Sequence, residues 1–159
     1  MASNHDISVL NGLIETTLDS VDGYRRSASE ASAGQFAAMF SERANERQQV
    51  VQQLQQEVRR LGGTPEDDGS VLAAAHRTFL SIRDSLTGKG DDSQVIAEVE
   101  RGEDFLRNKW ETALADAELG QETRQLITQA YESVRRGAEQ ARALNQGMSG
   151  SSSMGSSSL

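Results

Sequence analysis

Two arginines and one glutamate stand where helical periodicity asks for apolar side chains. At about 100° per residue, Arg43 and Arg47 fall within about 30° of the centre of a stripe marked by Phe36, Leu54 and Val58. Glu103 lies about 30° from the centre of a second stripe through Val99, Leu106 and Trp110. Both interruptions come midway along their helices. A buried guanidinium needs a carboxylate, and a buried carboxylate needs a partner or a proton. The simplest reading pairs Glu103 with Arg47, or with Arg43, across a helical interior. The other chemistry open to a mid-bundle glutamate is metal ligation or proton transfer. Di-metal bundles take one Glu from each of two helices and a Glu-x-x-His from each of two more. This chain has only two histidines, His5 near its start and His76 on the shoulder of a short helix. Its last helix turns Ala130, Val134, Gly137, Ala138 and Ala141 inward and projects Glu132 and Glu139 away. The nitrogen ligands are missing, so a structural ion pair is expected.

Other polar groupings carry weaker signals. Glu15, Asp19 and Asp22 share one side of the first helix, but off its apolar stripe, as a solvated acidic face would. Glu46-x-x-Gln49 has metal-ligand spacing with an amide in place of the imidazole, and an amide is a poor transition-metal ligand. His76-Arg77 reads as helix surface. Tyr24 and Tyr131 sit at stripe margins, which predicts packed rings and hydroxyls reaching water. Gly62-Gly63 precedes a proline and acidic residues, the wrong charge for a phosphate loop. No Ser–His–acid set can be assembled. No catalytic residue and no cofactor are expected.

Five amphipathic segments must position these side chains. Residues 6–32 carry Ile7, Leu10, Ile14, Leu18, Val21 and Ala28 at helical spacing. A second helix is expected over 35–61 and ends at Gly62-Gly63-Thr64-Pro65, a strong stop. A shorter one over 70–87 presents Val71, Ala75, Phe79, Ile82 and Leu86. The fourth spans 93–116 and the fifth 121–145. Tight turns at 33–34 and 117–120 make two helical hairpins, joined by a crossover over 62–92. The expected fold is all-α: a four-helix bundle of two hairpins with a short extra helix in the long crossover. The bundle domain spans 1–146. In 147–159, GMSGSSSMGSSSL, ten of thirteen residues are Ser or Gly, which predicts a disordered tail.

Composition removes whole classes of function. The chain has 159 residues, enough for one ordinary domain. Without cysteine, there are no disulfides, thiolate metal sites or cysteine nucleophiles. One proline and seven aromatics argue against a sandwich or barrel. A formal charge of −8 disfavours nucleic acid as a partner. No apolar run approaches the ~20 residues of a membrane span. No membrane partner is expected, and the cytoplasm is the expected compartment. The wide apolar arc of the first helix, which adds Val9 and Leu13, and Phe105 on the back of the fourth leave surface to cover. The short third helix or a second subunit could do so, the latter giving a homodimer or larger homo-oligomer through helix faces.

Three stretches carry a resemblance: LNGLIETTLDSVDGYRRSASEAS, FSERANERQQVVQQLQQEVRRLGGTPEDDGSV and AEVERGEDFLRNKWETALAD. Together they resemble a bacterial family of unknown function described as ferritin-like four-helix bundles, distantly similar to rubrerythrin. The likeness covers residues 8–145 in order and spacing. It implies a ferritin-like fold, no established reaction and, at family level, an association with stress physiology. Against the rubrerythrin pattern, Arg47 and Val50 fall on a Glu and a His ligand position. Ile14 falls on the first-helix Glu, with Glu15 one residue away. Arg101-Gly102-Glu103 resembles the third ligand segment with its glutamate retained. Val134 to Ala138 fill the region of the last Glu-x-x-His. The resemblance thus implies a degenerate di-metal site, with an arginine supplying the positive charge, in a protein of non-catalytic binding or structural role. A one-residue shift of register would restore Glu15 and Glu46 beside Glu103. That is the alternative, a divergent iron or manganese oxidase or iron store.

Overall fold

A computed structural model describes residues 4–67 and 92–157, with 148–157 described as backbone alone. The expected helix over 70–87 and His76 lie outside the described residues. Those described form four α-helices and no strand: α1 (Asn4–Glu30), α2 (Gly34–Arg60), α3 (Asp92–Leu114) and α4 (Gln121–Ser157). α3 and α4 correspond to the fourth and fifth segments read from the sequence. None of the described helices is long and apolar enough to cross a membrane.

The apolar stripes dictate how the helices meet. α1 packs most extensively on α2 and α3 on α4; α1 also meets α3, and α2 meets α4 more thinly. Contacts at the helix ends set the directions. His5 at the start of α1 reaches Asp116 just beyond α3, whereas Ser32 beyond α1 reaches Asp92 at the start of α3. α1 and α3 are therefore antiparallel, and α2 and α3 run parallel. Arg60 and Asp92 therefore stand at opposite ends of the bundle, about 40 Å apart for helices of 27 residues at about 1.5 Å each.

α2 ends as its sequence prescribes. Gly62 adopts φ 88°, a left-handed conformation that glycine takes without steric penalty. The Gly62 N–H donates to the Arg59 carbonyl at 3.0 Å and the Gly63 N–H to the Val58 carbonyl at 2.9 Å, the Schellman pattern. Asn11 of α1 holds the emerging chain, donating to the Thr64 carbonyl at 3.1 Å and accepting the Glu66 N–H at 2.9 Å.

At the other end of the chain α4 continues as helical backbone to Ser157, into the stretch whose Ser/Gly composition predicts a disordered tail. The last buried side chain described is Ala141.

Two carboxylates latch the hairpins together. Asp6, in the first turn of α1, serves the start of α4. It accepts the Gly120 N–H at 3.1 Å and the Thr123 hydroxyl at 3.0 Å, and is 5 % exposed. At the opposite end Asp92 accepts the N–H groups of Ser32 and Ala33 at 2.7 and 2.9 Å. Both satisfy backbone donors that begin a helix in the other hairpin, where negative charge is also favoured. Asp6→Ala removes a buried charged acceptor of two hydrogen bonds and is expected to lower stability by about 1–3 kcal/mol in urea denaturation. A loss of only a few tenths of a kcal/mol, ordinary for a surface residue, would show that the latch contributes nothing.

Candidate functional site

The apolar interior is divided in two. One cluster contains Ile14 and Val21 of α1, Val50 of α2, Leu106 of α3 and Val134 of α4. The other contains Tyr24, Ala44, Val99 and Ala141 from the same helices in the same order. Between them on α2 lies Arg47, between them on α3 lies Glu103, and between them on α4 lies Gly137. A polar layer crosses the bundle at mid-height.

Its geometry is that of a forked ion pair. Arg47 Nη1 donates to Glu103 Oε1 at 2.7 Å and Nη2 to Oε2 at 2.5 Å. Arg47 is 0 % exposed and Glu103 2 %. Nη1 also donates to Ser20 Oγ of α1 at 2.8 Å. The Tyr24 ring faces the guanidinium, 5.7 Å from Cζ to its centroid, within range of a cation–π contact. Arg47 Nε has no acceptor among the described residues. One turn away, the Trp110 indole N–H donates to Thr17 Oγ1 at 3.2 Å, another buried polar link from α1 to α3.

Electrostatics follows from the burial. Desolvation disfavours the Arg47 charge, but the Glu103 carboxylate outweighs it and holds the guanidinium above its ordinary pKa. Burial, followed by the Glu103 charge, pushes the Tyr24 hydroxyl well above its ordinary value. Tyr24 is thus inside, 6 % exposed, and not at a wet margin as its stripe position suggests, because α2 packs Phe40 against its ring. Tyr131 meets the expectation of a hydroxyl at the surface, where it donates to Glu111.

Of the two arginines read as partners for Glu103, Arg47 meets it. Arg43 turns away: Nη1 bonds Glu46 Oε2 at 2.8 Å and Nη2 bonds Gln140 Oε1 at 2.6 Å. Glu46 also accepts the Ser133 hydroxyl. Glu15 is half-buried on α1. Among the described residues, one group of three metal-ligating side chains converges, His5, Asp116 and Glu118, and it contains none of Glu15, Glu46 and Glu103. The arc of α1 that suggested a partner surface faces its own chain, with Leu13 in the core and Val9 packed against it. Phe105 is the exposed large apolar side chain among the described residues, at 51 %, with the Lys109 ammonium over its ring.

Gly137 is the member that periodicity could not single out. A β-carbon there would overlap both Arg47 Nη2 and Glu103 Oε2, so the pair occupies the space that any other residue would fill. Gly→Ala inside a helix normally stabilises by about 0.5–1 kcal/mol. Here the sign should reverse, with Gly137→Ala costing about 1–3 kcal/mol as overpacking does. Arg47→Ala should cost about 3–5 kcal/mol, because it strands Glu103. In an Arg47→Met, Glu103→Leu background, equilibrium unfolding should show a smaller penalty for Gly137→Ala. An equal penalty in both backgrounds would refute the steric link.

These helices supply the comparison with known proteins. A family described as a domain of unknown function, DUF2383, matches residues 5–116, from the start of α1 through α3 and short of α4. No curated protein matches the chain. With most of its length under that match, the chain belongs to the DUF2383 family.

Proposed function

We propose that this protein is a ferritin-like bundle whose di-metal centre has been replaced by a buried ion pair, and that its role is structural or binding and not catalytic. The observation that carries this reading is the Arg47 guanidinium at mid-height, bound through both terminal nitrogens to Glu103. A di-metal centre places positive charge among carboxylates and imidazoles. Here a covalent part of the chain supplies the charge. Each Glu103 oxygen already accepts a hydrogen bond, and an arriving cation would meet a fixed positive charge at close range in a dry interior.

The neighbouring positions support the same reading. Ile14 and Val50, which the rubrerythrin likeness aligns with a Glu and a His ligand, are 0 % and 5 % exposed within the apolar cluster. Parallel α2 and α3 with one long connection is also the connectivity of ferritin-like bundles. The competing reading, an iron or manganese oxidase or store built on Glu15, Glu46 and Glu103, has to draw Glu46 from Arg43 and Ser133 and Glu103 from Arg47.

Metal retention and turnover separate the two. Protein made in iron- or manganese-supplemented cells and washed with chelator is expected to hold no stoichiometric iron or manganese. It should oxidise Fe(II) no faster than buffer. Retained stoichiometric metal together with ferrous oxidation that Glu103→Gln abolishes would overturn the proposal.

A further inference from the structure

We propose that His5, Asp116 and Glu118 form a surface site for a divalent cation of the zinc class, which pins the start of α1 to the turn between α3 and α4. The site is separate from the central ion pair and uses none of its residues. One donor atom from each of the three side chains lies within 4.8 Å of the other two. His5 Nε2 and Asp116 Oδ2, from positions 111 residues apart, share a hydrogen bond of 2.6 Å, and a bound ion would take the place of its proton.

The donor set selects the ion. Zn²⁺ binds imidazole nitrogen and carboxylate oxygen at about 2.0–2.2 Å, and open zinc sites use three protein ligands with water in the fourth position. Donors around such a tetrahedron stand about 3.3–3.6 Å apart. Reaching that spacing requires the His5–Asp116 contact to open slightly and the exposed Glu118 carboxylate to swing in, both available to surface side chains. Mg²⁺ and Ca²⁺ favour all-oxygen shells, so the imidazole discriminates against them.

Asp116 Oδ1 accepts the Glu118 N–H at 2.9 Å, and the other charged side chains nearby face different partners. Asp6, beside His5 in sequence, is turned toward Gly120 and Thr123. Arg124, the nearby cation, faces the backbone carbonyls of Leu114 and Asp116. The side chains of His5 and Asp116 are 39 % and 25 % exposed, and Glu118 is exposed, so an ion can arrive from solvent. Once bound, it would link the first helix of one hairpin to the turn of the other.

Calorimetric titration of the chelator-stripped full chain with ZnCl₂, paired with thermal melts, tests the site. The expected result is one equivalent bound and a raised melting temperature, because a ligand that binds only the folded chain stabilises it. MgCl₂ should produce neither effect. Glu118→Gln, at an exposed position, should leave the metal-free melting temperature unchanged and weaken zinc binding at least tenfold. His5→Gln should abolish binding, whereas His76→Gln, at the other histidine, should leave it intact. Zinc binding that survives both His5→Gln and Glu118→Gln, or that is lost with His76→Gln, would overturn the proposal. So would the absence of any zinc-dependent shift in the melting temperature.

Discussion

A guanidinium and a carboxylate removed from water together constrain every helix around them. Moving either charge into the interior alone costs several kcal/mol, and only the partner with good geometry offsets it. Arg47 and Glu103 are therefore tolerable at a single relative placement of α2 and α3. Ser20 and Tyr24 fix α1 against the same guanidinium, and the space at Gly137 fixes α4. The apolar clusters on either side are built mostly from Leu, Val, Ile and Ala, with Trp110 in one and Tyr24 and Phe40 in the other. A slip of one helical turn would displace those rings and would also strand two buried charges. The pair adds little net stability over an apolar substitute, and its effect falls on which arrangement is allowed.

The bundle ends repeat this logic with backbone donors. Helix starts leave N–H groups unsatisfied, and the polar side chains nearest in sequence are the ones usually expected to satisfy them. Here Asp6 and Asp92 each reach across to the other hairpin. Arg124 does the complementary task at the end of α3, donating to the Leu114 and Asp116 carbonyls. The two hairpins are thus joined by charge-assisted contacts at the bottom, middle and top, with apolar packing between. Among the described residues, these three polar levels fix how the hairpins align.

Which features were legible in the sequence follows from whether their cause is local. Stripes at 3.6-residue spacing place all four described helices to within a few residues at most ends, and Gly62-Gly63-Thr64-Pro65 marks the stop of α2 by its own backbone chemistry. The unusual positions of Arg47 and Glu103 are visible because each interrupts its own stripe. Choosing Arg47 over Arg43 as the partner is not visible, since one turn of α2 separates them and only the register against α3 decides. Gly137 looks like one small residue among alanines, and its cause lies in side chains of two other helices. The same holds for His5 and Asp116, and for Asp6, whose partners are more than a hundred residues away.

The chemistry available to the centre is narrow because both Glu103 oxygens and both terminal nitrogens of Arg47 are engaged with each other. Glu103 has no idle oxygen, Arg47 cannot act as an acid or base near neutral pH, and Tyr24 is pushed further from ionisation by burial and by the Glu103 charge. A metal-oxidising bundle requires the reverse, carboxylates held in reserve and imidazoles facing an ion. Building that state here would require more than removing Arg47. Ile14 and Val50 would still present hydrocarbon to the site, and Gly137 would leave a space on α4 with no ligand in it. The interior is thus committed to the ion pair by several residues on separate helices. On the proposed reading, any interaction that gives this bundle a function must act at its surface or its ends, where its carboxylates and histidine remain within reach of solvent.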